Sequence, residues 1–161
     1  DFTQAIIDLK NKLFSCSSCG NIADEPICSI CINPNRDHQT ICIVEDIRDV
    51  MAIESTSAYK GIYHVLDGLI SPLDGIGPQD LNIQSLIDKI AREKITEIIF
   101  ALSPTMEGDT TNFYLFKKLQ PYSPYITTLS RGVAVGSELQ YTDELTLGKS
   151  LLQRQVFKIN N

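Results

Sequence analysis

Between positions 3 and 13 the apolar residues Ile6, Leu9 and Leu13 recur at helical spacing, with Asp8, Lys10 and Lys12 between them. This pattern predicts an amphipathic helix, expected to pack on the segment that follows it. After Asn33-Pro34 the pattern changes to short apolar runs alternating with helical stretches. Residues 40–44 read as a strand, 46–54 as a helix and 61–66 as a second strand, which makes a βαβ unit. Positions 71–78 are rich in Gly and Pro and read as a loop, and the next stretch carries Leu86, Ile87, Ile90 and Ala91 on one helical face. Residues 97–102 form an apolar run of the length of a buried strand, and a helix over 109–119 would bring Phe113, Phe116 and Leu119 to one side. Residues 125–129 supply a fourth strand, and Gly132 and Gly136 mark a loop. Thr142 then reads as the cap of a last helix, with Asp143 and Glu144 in its first turn and Leu145, Gly148 and Leu152 facing inward. Strands separated by helices imply an α/β fold, a mainly parallel sheet flanked by helices on both faces. The chain shows neither internal repeats nor low-complexity sequence.

One segment does not fit the alternation. Cys16-x2-Cys19 and Cys28-x2-Cys31 stand eight residues apart, a spacing that closes two short arms around one tetrahedral Zn²⁺. Ser17-Ser18 and Ser29-Ile30 let each arm turn back so that both sulfurs face one ion. Four close cysteines also make two disulfides in small secreted scaffolds. The residues ahead of the cluster carry no secretory-signal pattern, and a reducing compartment is the expectation that accounts for all five cysteines, including Cys42 within an apolar run, where a thiol behaves as a small hydrophobe. Four protein ligands leave no open coordination position, so the expected role of the metal is structural.

A chain of 161 residues, 43% hydrophobic, can bury one substantial core beside a small metal module. No apolar run approaches the twenty residues of a membrane-spanning helix. The formal charge is −6, and four thiolates with one Zn²⁺ bring it to about −8. Such a balance disfavours strong nucleic-acid binding by this chain alone, since phosphate contacts need clustered Lys and Arg.

In open parallel sheets functional groups gather beyond the carboxyl ends of the strands. Glu45 closes the first strand. The third is followed by Ser103-Pro-Thr-Met-Glu-Gly-Asp109, which sets Glu107 and Asp109 two residues apart on a turn. Three carboxylates meeting in a cleft can hold Mg²⁺. Alternatively, Glu107 and Asp109 decorate a helix N-terminus, where negative charge is favourable. Asp46, Asp49 and Glu54 extend the acidic patch, either as a solvated face or as a surface for a basic partner. His64 reads as a satisfied strand residue and His38 as part of a polar turn; neither is assigned a catalytic role.

The four-cysteine knuckle, Asn33-Pro-Asn-Arg-Asp37, Ile41-Cys-Ile-Val-Glu45, Tyr63-His-Val-Leu66, Ile70-Ser-Pro-Leu-Asp-Gly-Ile-Gly-Pro78 and Arg131-Gly132 with Gly136 occur here in one order. Together they closely resemble the bacterial recombination mediator family RecR, from the first helix through about Arg154. The resemblance implies an N-terminal helix over 1–15, a four-cysteine zinc finger over 16–37, a Toprim α/β domain over 38–133 and a C-terminal segment for subunit contacts over 134–161. It matches Cys16, Cys19, Cys28 and Cys31 to zinc ligands and Glu45, Glu107 and Asp109 to the Toprim acidic positions. Toprim enzymes usually carry glycine directly after the strand-one glutamate and an Asp-x-Asp pair later. Here Asp46 and Glu107-Gly-Asp109 stand in those places, and no Tyr has the basic neighbours of a DNA-cleaving nucleophile.

What the resemblance implies is a non-enzymatic mediator of recombinational DNA repair. As an oligomeric clamp, dimer or tetramer, with RecO and RecF, it would help load RecA onto single-stranded DNA in the bacterial cytoplasm, at the nucleoid. The family's basic helix-hairpin-helix domain, which contacts DNA and closes a ring, would lie upstream of this chain. DNA binding by the chain itself is therefore expected to be weak or absent. The competing class is a Mg²⁺-dependent phosphoryl-transfer enzyme using the same carboxylates.

Overall fold

The computed structural model describes residues 1–136 and 138–158. The chain divides into two compact units, Asp1–Thr128 and Leu129–Asn161. In the first, helix α1 (Phe2–Lys12) is capped by the Asp1 carboxylate, which accepts from the Thr3 N–H. The helix forms as its periodicity predicts. It buries no residue, however, and Phe2, Ile6 and Leu9 are exposed, so the expected packing against the next segment is not made.

A small antiparallel pair follows, β1 (Phe14–Ser15) with β2 (Ile22–Ala23), and then a single helical turn, α2 (Ser29–Ile32). The α/β core is a four-stranded, all-parallel sheet of β3 (Asp37–Val44), β4 (Gly61–Val65), β5 (Glu97–Phe100) and β6 (Tyr125–Thr128). Its order is β4-β3-β5-β6, and Ile41 is flanked by Ile62 on one side and Ile98 on the other. Because side chains alternate along a strand, Ile41, Ile43, Ile62, Ile98 and Phe100 go to one face and Cys42, Val44, Tyr63 and Val65 to the other. Both faces are buried, which is why these strands read as continuous apolar runs.

The chain leaves β3 for β4 through α3 (Ile47–Ser55), and reaches β5 and β6 on the opposite side of β3 through α4 (Gln84–Arg92) and α5 (Met106–Leu119). Crossovers of one hand then put α3 on one face and α4 and α5 on the other. Val50 of α3 packs with Cys42 and Tyr63, whereas Leu86, Ile90, Leu115 and Leu119 pack with the isoleucines. This arrangement makes the gap between β3 and β5 the topological switch point of the sheet.

Two helices present faces other than those their apolar residues suggest. In α5 the buried positions are Gly108, Thr111, Leu115 and Leu119, while Phe113 and Phe116 are exposed. In α4 the buried set is Leu86, Lys89 and Ile90, Ile87 is half-buried and Ala91 is exposed. Polar partners for Thr111 and Lys89 decide these orientations, and apolar periodicity carries no trace of them.

In the second unit, α6 (Glu144–Leu152) starts one residue later than predicted. Asp143, not Thr142, is the cap, its carboxylate accepting from the Thr146 N–H at 2.9 Å. Leu145 and Leu152, expected to face inward, are exposed, and the helix buries no residue. Of the segment expected over 134–161, residue 137 and residues 159–161 lie outside the described residues.

Candidate metal centre and acidic crevice

The metal centre is assembled from two tight turns. In the first, the Cys16 N–H donates to the Asn21 carbonyl at 2.7 Å and the Gly20 N–H returns to the Cys16 carbonyl at 2.8 Å. Gly20 adopts φ +82°, and a Cβ there would meet the Val65 carbonyl oxygen at 3.2 Å, so both the turn and the close approach to β4 call for glycine. In the second, Cys28 caps α2 and Cys31 lies one turn on.

The result places all four sulfurs within 4.8 Å of one another. The Cys19 and Cys28 Sγ atoms are 3.7 Å apart. Two sulfurs bound tetrahedrally at about 2.3 Å from one Zn²⁺ would stand about 3.8 Å apart, whereas a disulfide would need about 2.0 Å. All five cysteines are free thiols, so the two-disulfide alternative does not hold. Backbone N–H groups of Asn21, Cys28 and Cys31 donate to the sulfurs of Cys19, Cys16 and Cys28 at 3.3–3.5 Å, a cradle suited to negatively charged ligands. A hydrogen bond from Cys19 holds the Cys31 thiol below the ordinary thiol range, and that same bond, with burial, pushes the Cys19 thiol up. Metal binding replaces such shared protons. The donor set fits a structural Zn²⁺.

Cys42 is not part of the cluster. It lies in β3 beside Tyr63, where burial pushes its thiol up to about 12.

The knuckle is fixed to the sheet edge. The Val65 N–H donates to the Cys19 carbonyl and the Asn82 side-chain amide to the Val65 carbonyl. Ile30 packs against the knuckle and against both sheet faces. The linker over 33–37 is fastened as well: Arg36 donates to the Tyr59 and Gly61 carbonyls and pairs with Glu54, whose other oxygen accepts from the Tyr63 hydroxyl at 2.6 Å. Glu54 is thus committed to a structural pair and does not extend the acidic patch.

At the switch point, Glu45 follows β3 and is half-buried. Burial, then the nearby Asp49 and Asp46 charges, raise its carboxyl above the ordinary range, against a hydrogen bond from Ser103 at the end of β5. Asp46 and Asp49 form a capping box on α3. The Asp46 side chain accepts from the Arg48 N–H at 2.8 Å, and the Asp46 backbone N–H donates to the Asp49 carboxylate at 3.2 Å. The Arg48 guanidinium draws the Asp46 carboxyl below its usual range.

Glu107 and Asp109 lie in the first turn of α5, not on a free turn; Thr105 caps that helix through the Gly108 N–H at 3.1 Å. Glu107 is half-buried and Asp109 exposed. Among the described residues the four cysteines are the one group of three or more Cys, His, Asp or Glu that meets the geometry of a metal cluster. Glu45, Glu107 and Asp109 face one end of the sheet without closing into such a group.

Sequence reasoning missed Asp67, which adopts φ +64° after β4. It borders, with Asp46, Ser15, Ser17, Asn82 and Ser85, a cavity of about 520 Å³ beside the knuckle. The signal was available: Asp67-Gly68 is a polar turn pair directly after an apolar strand. His64 is buried, as read, but only half satisfied, with Nε2 on the Asn82 carbonyl and Nδ1 lacking a hydrogen-bond partner.

Three family profiles match the chain in succession: the RecR four-cysteine zinc finger domain over residues 13–33, the Toprim domain over 39–129 and the RecR C-terminal region over 132–155. The recombination protein RecR of Porphyromonas gingivalis is 55% identical over 156 residues, covering 97% of this chain and 75% of that protein. The protein of the same name from Flavobacterium johnsoniae is 56% identical, covering 97% and 76%, and that from Bacteroides fragilis 53%, covering 97% and 76%.

Proposed function

The chain belongs to the RecR family of recombination proteins, and from that premise we propose that it serves recombinational DNA repair as a non-enzymatic mediator. In this reading it works in the cytoplasm, at the nucleoid, as part of a homo-oligomeric clamp. RecO and RecF are its partners, and loading of RecA on single-stranded DNA is the outcome. The zinc knuckle fixes the orientation of whatever precedes it against the α/β domain, and residues 134–161 supply subunit contacts. The carboxylates at the switch point receive a basic surface of RecO.

The observation that carries this reading is the placement of Glu45, Glu107 and Asp109. They flank the β3–β5 switch point, where α/β sheets present their binding groups, and Asp46 and Asp49 add charge beside Glu45. Spread along the carboxyl end of the sheet rather than gathered into a metal-binding group, they suit an extended basic partner better than a single ion.

Replacing Glu45, Glu107 and Asp109 by Ala is expected to weaken RecO binding by about tenfold or more, at unchanged zinc content. Unchanged affinity in calorimetry would overturn the docking role. Incubation with Mg²⁺ and labelled DNA tests the enzymatic alternative: cleavage that disappears in Glu45→Ala would replace the mediator reading with a phosphoryl-transfer one.

A further inference from the structure

Lys89 projects from the inner side of α4 and is 5% exposed. Its ammonium crosses from the α/β domain to the metal knuckle and donates to Ser18 Oγ at 2.8 Å. Ser18 sits inside the turn that joins Cys16 to Cys19. A buried ammonium is costly unless an opposite charge meets it, and among the described residues no carboxylate lies within ion-pair distance of Lys89. A hydroxyl group alone is weak compensation for a full charge.

The knuckle supplies the missing charge. Four thiolates around one Zn²⁺ carry a net charge of about −2, and the group that accepts from Lys89, Ser18, stands between two of the ligands, Cys16 and Cys19. Anion and cation are both taken out of water at the same junction, one held by the knuckle and the other by α4. Outer groups of this kind orient ligands and tune how firmly a metal is held.

We propose that Lys89 is the outer-sphere cation of the zinc centre: it offsets part of the charge of the four-thiolate group and, through Ser18, latches α4 to the knuckle. Retention of zinc then depends on a residue of the α/β domain, far from the ligands in sequence, whatever partner the carboxylates meet.

Zinc release from the loaded chain into excess chelator, followed with a chromogenic indicator, tests this directly. Lys89→Met keeps most of the stem and removes the charge, and it should release zinc about tenfold faster or more. Lys89→Arg should stay within about threefold of the wild type, and Ser18→Ala should fall between the two. Zinc release from Lys89→Met at the wild-type rate would overturn the proposal, as would Lys89→Arg releasing as fast as Lys89→Met, since side-chain shape rather than charge would then be responsible. Should Lys89→Met fail to fold, Ser18→Ala decides: faster release supports the latch, and the wild-type rate refutes it.

Discussion

The Val65 amide donates to the Cys19 carbonyl across 2.8 Å, so a metal ligand's own backbone caps the edge strand of the parallel sheet. Open edges invite pairing with other chains, and here the knuckle covers one. Metal loading and edge protection are therefore expected to be coupled. Removing zinc is expected to unmask the Val65 amide to hydrogen exchange while amides at the centre of β3 keep their protection. Cys16→Ser should do the same and should disturb folding of the junction more than any carboxylate substitution. Cys42→Ser, outside the cluster, should retain zinc. Mass-spectrometric exchange reads all three, and an edge strand indifferent to zinc would contradict the coupling.

His64 gives the chain an acid-sensitive core. Burial lowers its imidazole from 6.5 to about 4, with one nitrogen on the Asn82 carbonyl and the other unpartnered. The unfolded chain takes up this proton as pH falls below about 6.5, while the folded chain refuses it until about 4. Stability from the neutral ring is therefore complete above about pH 6.5 and declines by about 3 kcal/mol in all as pH falls toward 4. Urea titrations of the zinc-loaded chain at pH 7 and pH 5 should show about 2 kcal/mol of this loss, and His64→Gln, compared with wild type, should flatten it. An unchanged difference between the two pH values in the variant would exclude His64 as the source.

Gly108 is where the acidic turn is most exposed to damage. A Cβ there would lie 1.9 Å from the Ser103 carbonyl oxygen, so Ala forces the start of α5 away from the end of β5. Thermal denaturation of Gly108→Ala should show destabilisation at or above the upper end of about 1–3 kcal/mol. On the proposed docking role, RecO affinity should fall as well, since Glu107 and Asp109 move with the turn. A variant as stable as wild type would mean that the helix start yields freely.

Thr111 ties that same turn to Ile70, the residue just before the loop over 71–78. Its hydroxyl accepts from the Ile70 N–H at 2.9 Å and donates to the Glu107 carbonyl at 2.7 Å, and it is fully buried. Thr111→Val keeps the volume but strands a buried amide, at a cost of about 1–3 kcal/mol. Thr111→Ser should restore most of it. Equal stability of the Val and Ser variants in urea would show that the hydroxyl is dispensable.

The strands and the metal ligands were legible because each rests on a local pattern: continuous apolar runs for a sheet covered on both faces, and two Cys-x2-Cys arms for one ion. The inner face of α5 was not. Phe113 and Phe116 outrank Gly108 and Thr111 in hydrophobicity, but the helix packs so closely on Ser103 and Ile70 that only a glycine and a hydrogen-bonding side chain fit. Lys89 misleads in the same way, since its partner, Ser18, stands 71 positions away. The acidic residues were singled out by their position after strands. Which of them are spent on capping, as Asp46 and Asp49 are, or on an ion pair, as Glu54 is, depends on contacts that one-dimensional spacing does not contain.

The Arg36–Glu54 pair is the second fastening between the knuckle and the domain, and it makes a separable prediction. Arg36 spans the linker, α3 and β4 at once: it pairs with Glu54 and donates to two carbonyls at 3.2 and 3.3 Å. The guanidinium holds the Glu54 carboxyl below the usual carboxylate range. The sign follows. The pair is fully formed above the ordinary value of about 4.3 and is lost as pH falls through the lowered folded value. At pH 7, Glu54→Gln is expected to cost about 1.5–3 kcal/mol, as hydrogen bonds to charged groups do. Arg36→Lys should not rescue, because an ammonium cannot reach the carboxylate and both carbonyls as a planar fork does. A double-mutant cycle of Arg36→Met with Glu54→Gln, read by urea denaturation of the zinc-loaded chain, should return a coupling above about 0.5 kcal/mol. Strict additivity would show instead that the two residues act independently and that their ion pair adds nothing to the contacts made by Val65, Ile30 and Lys89.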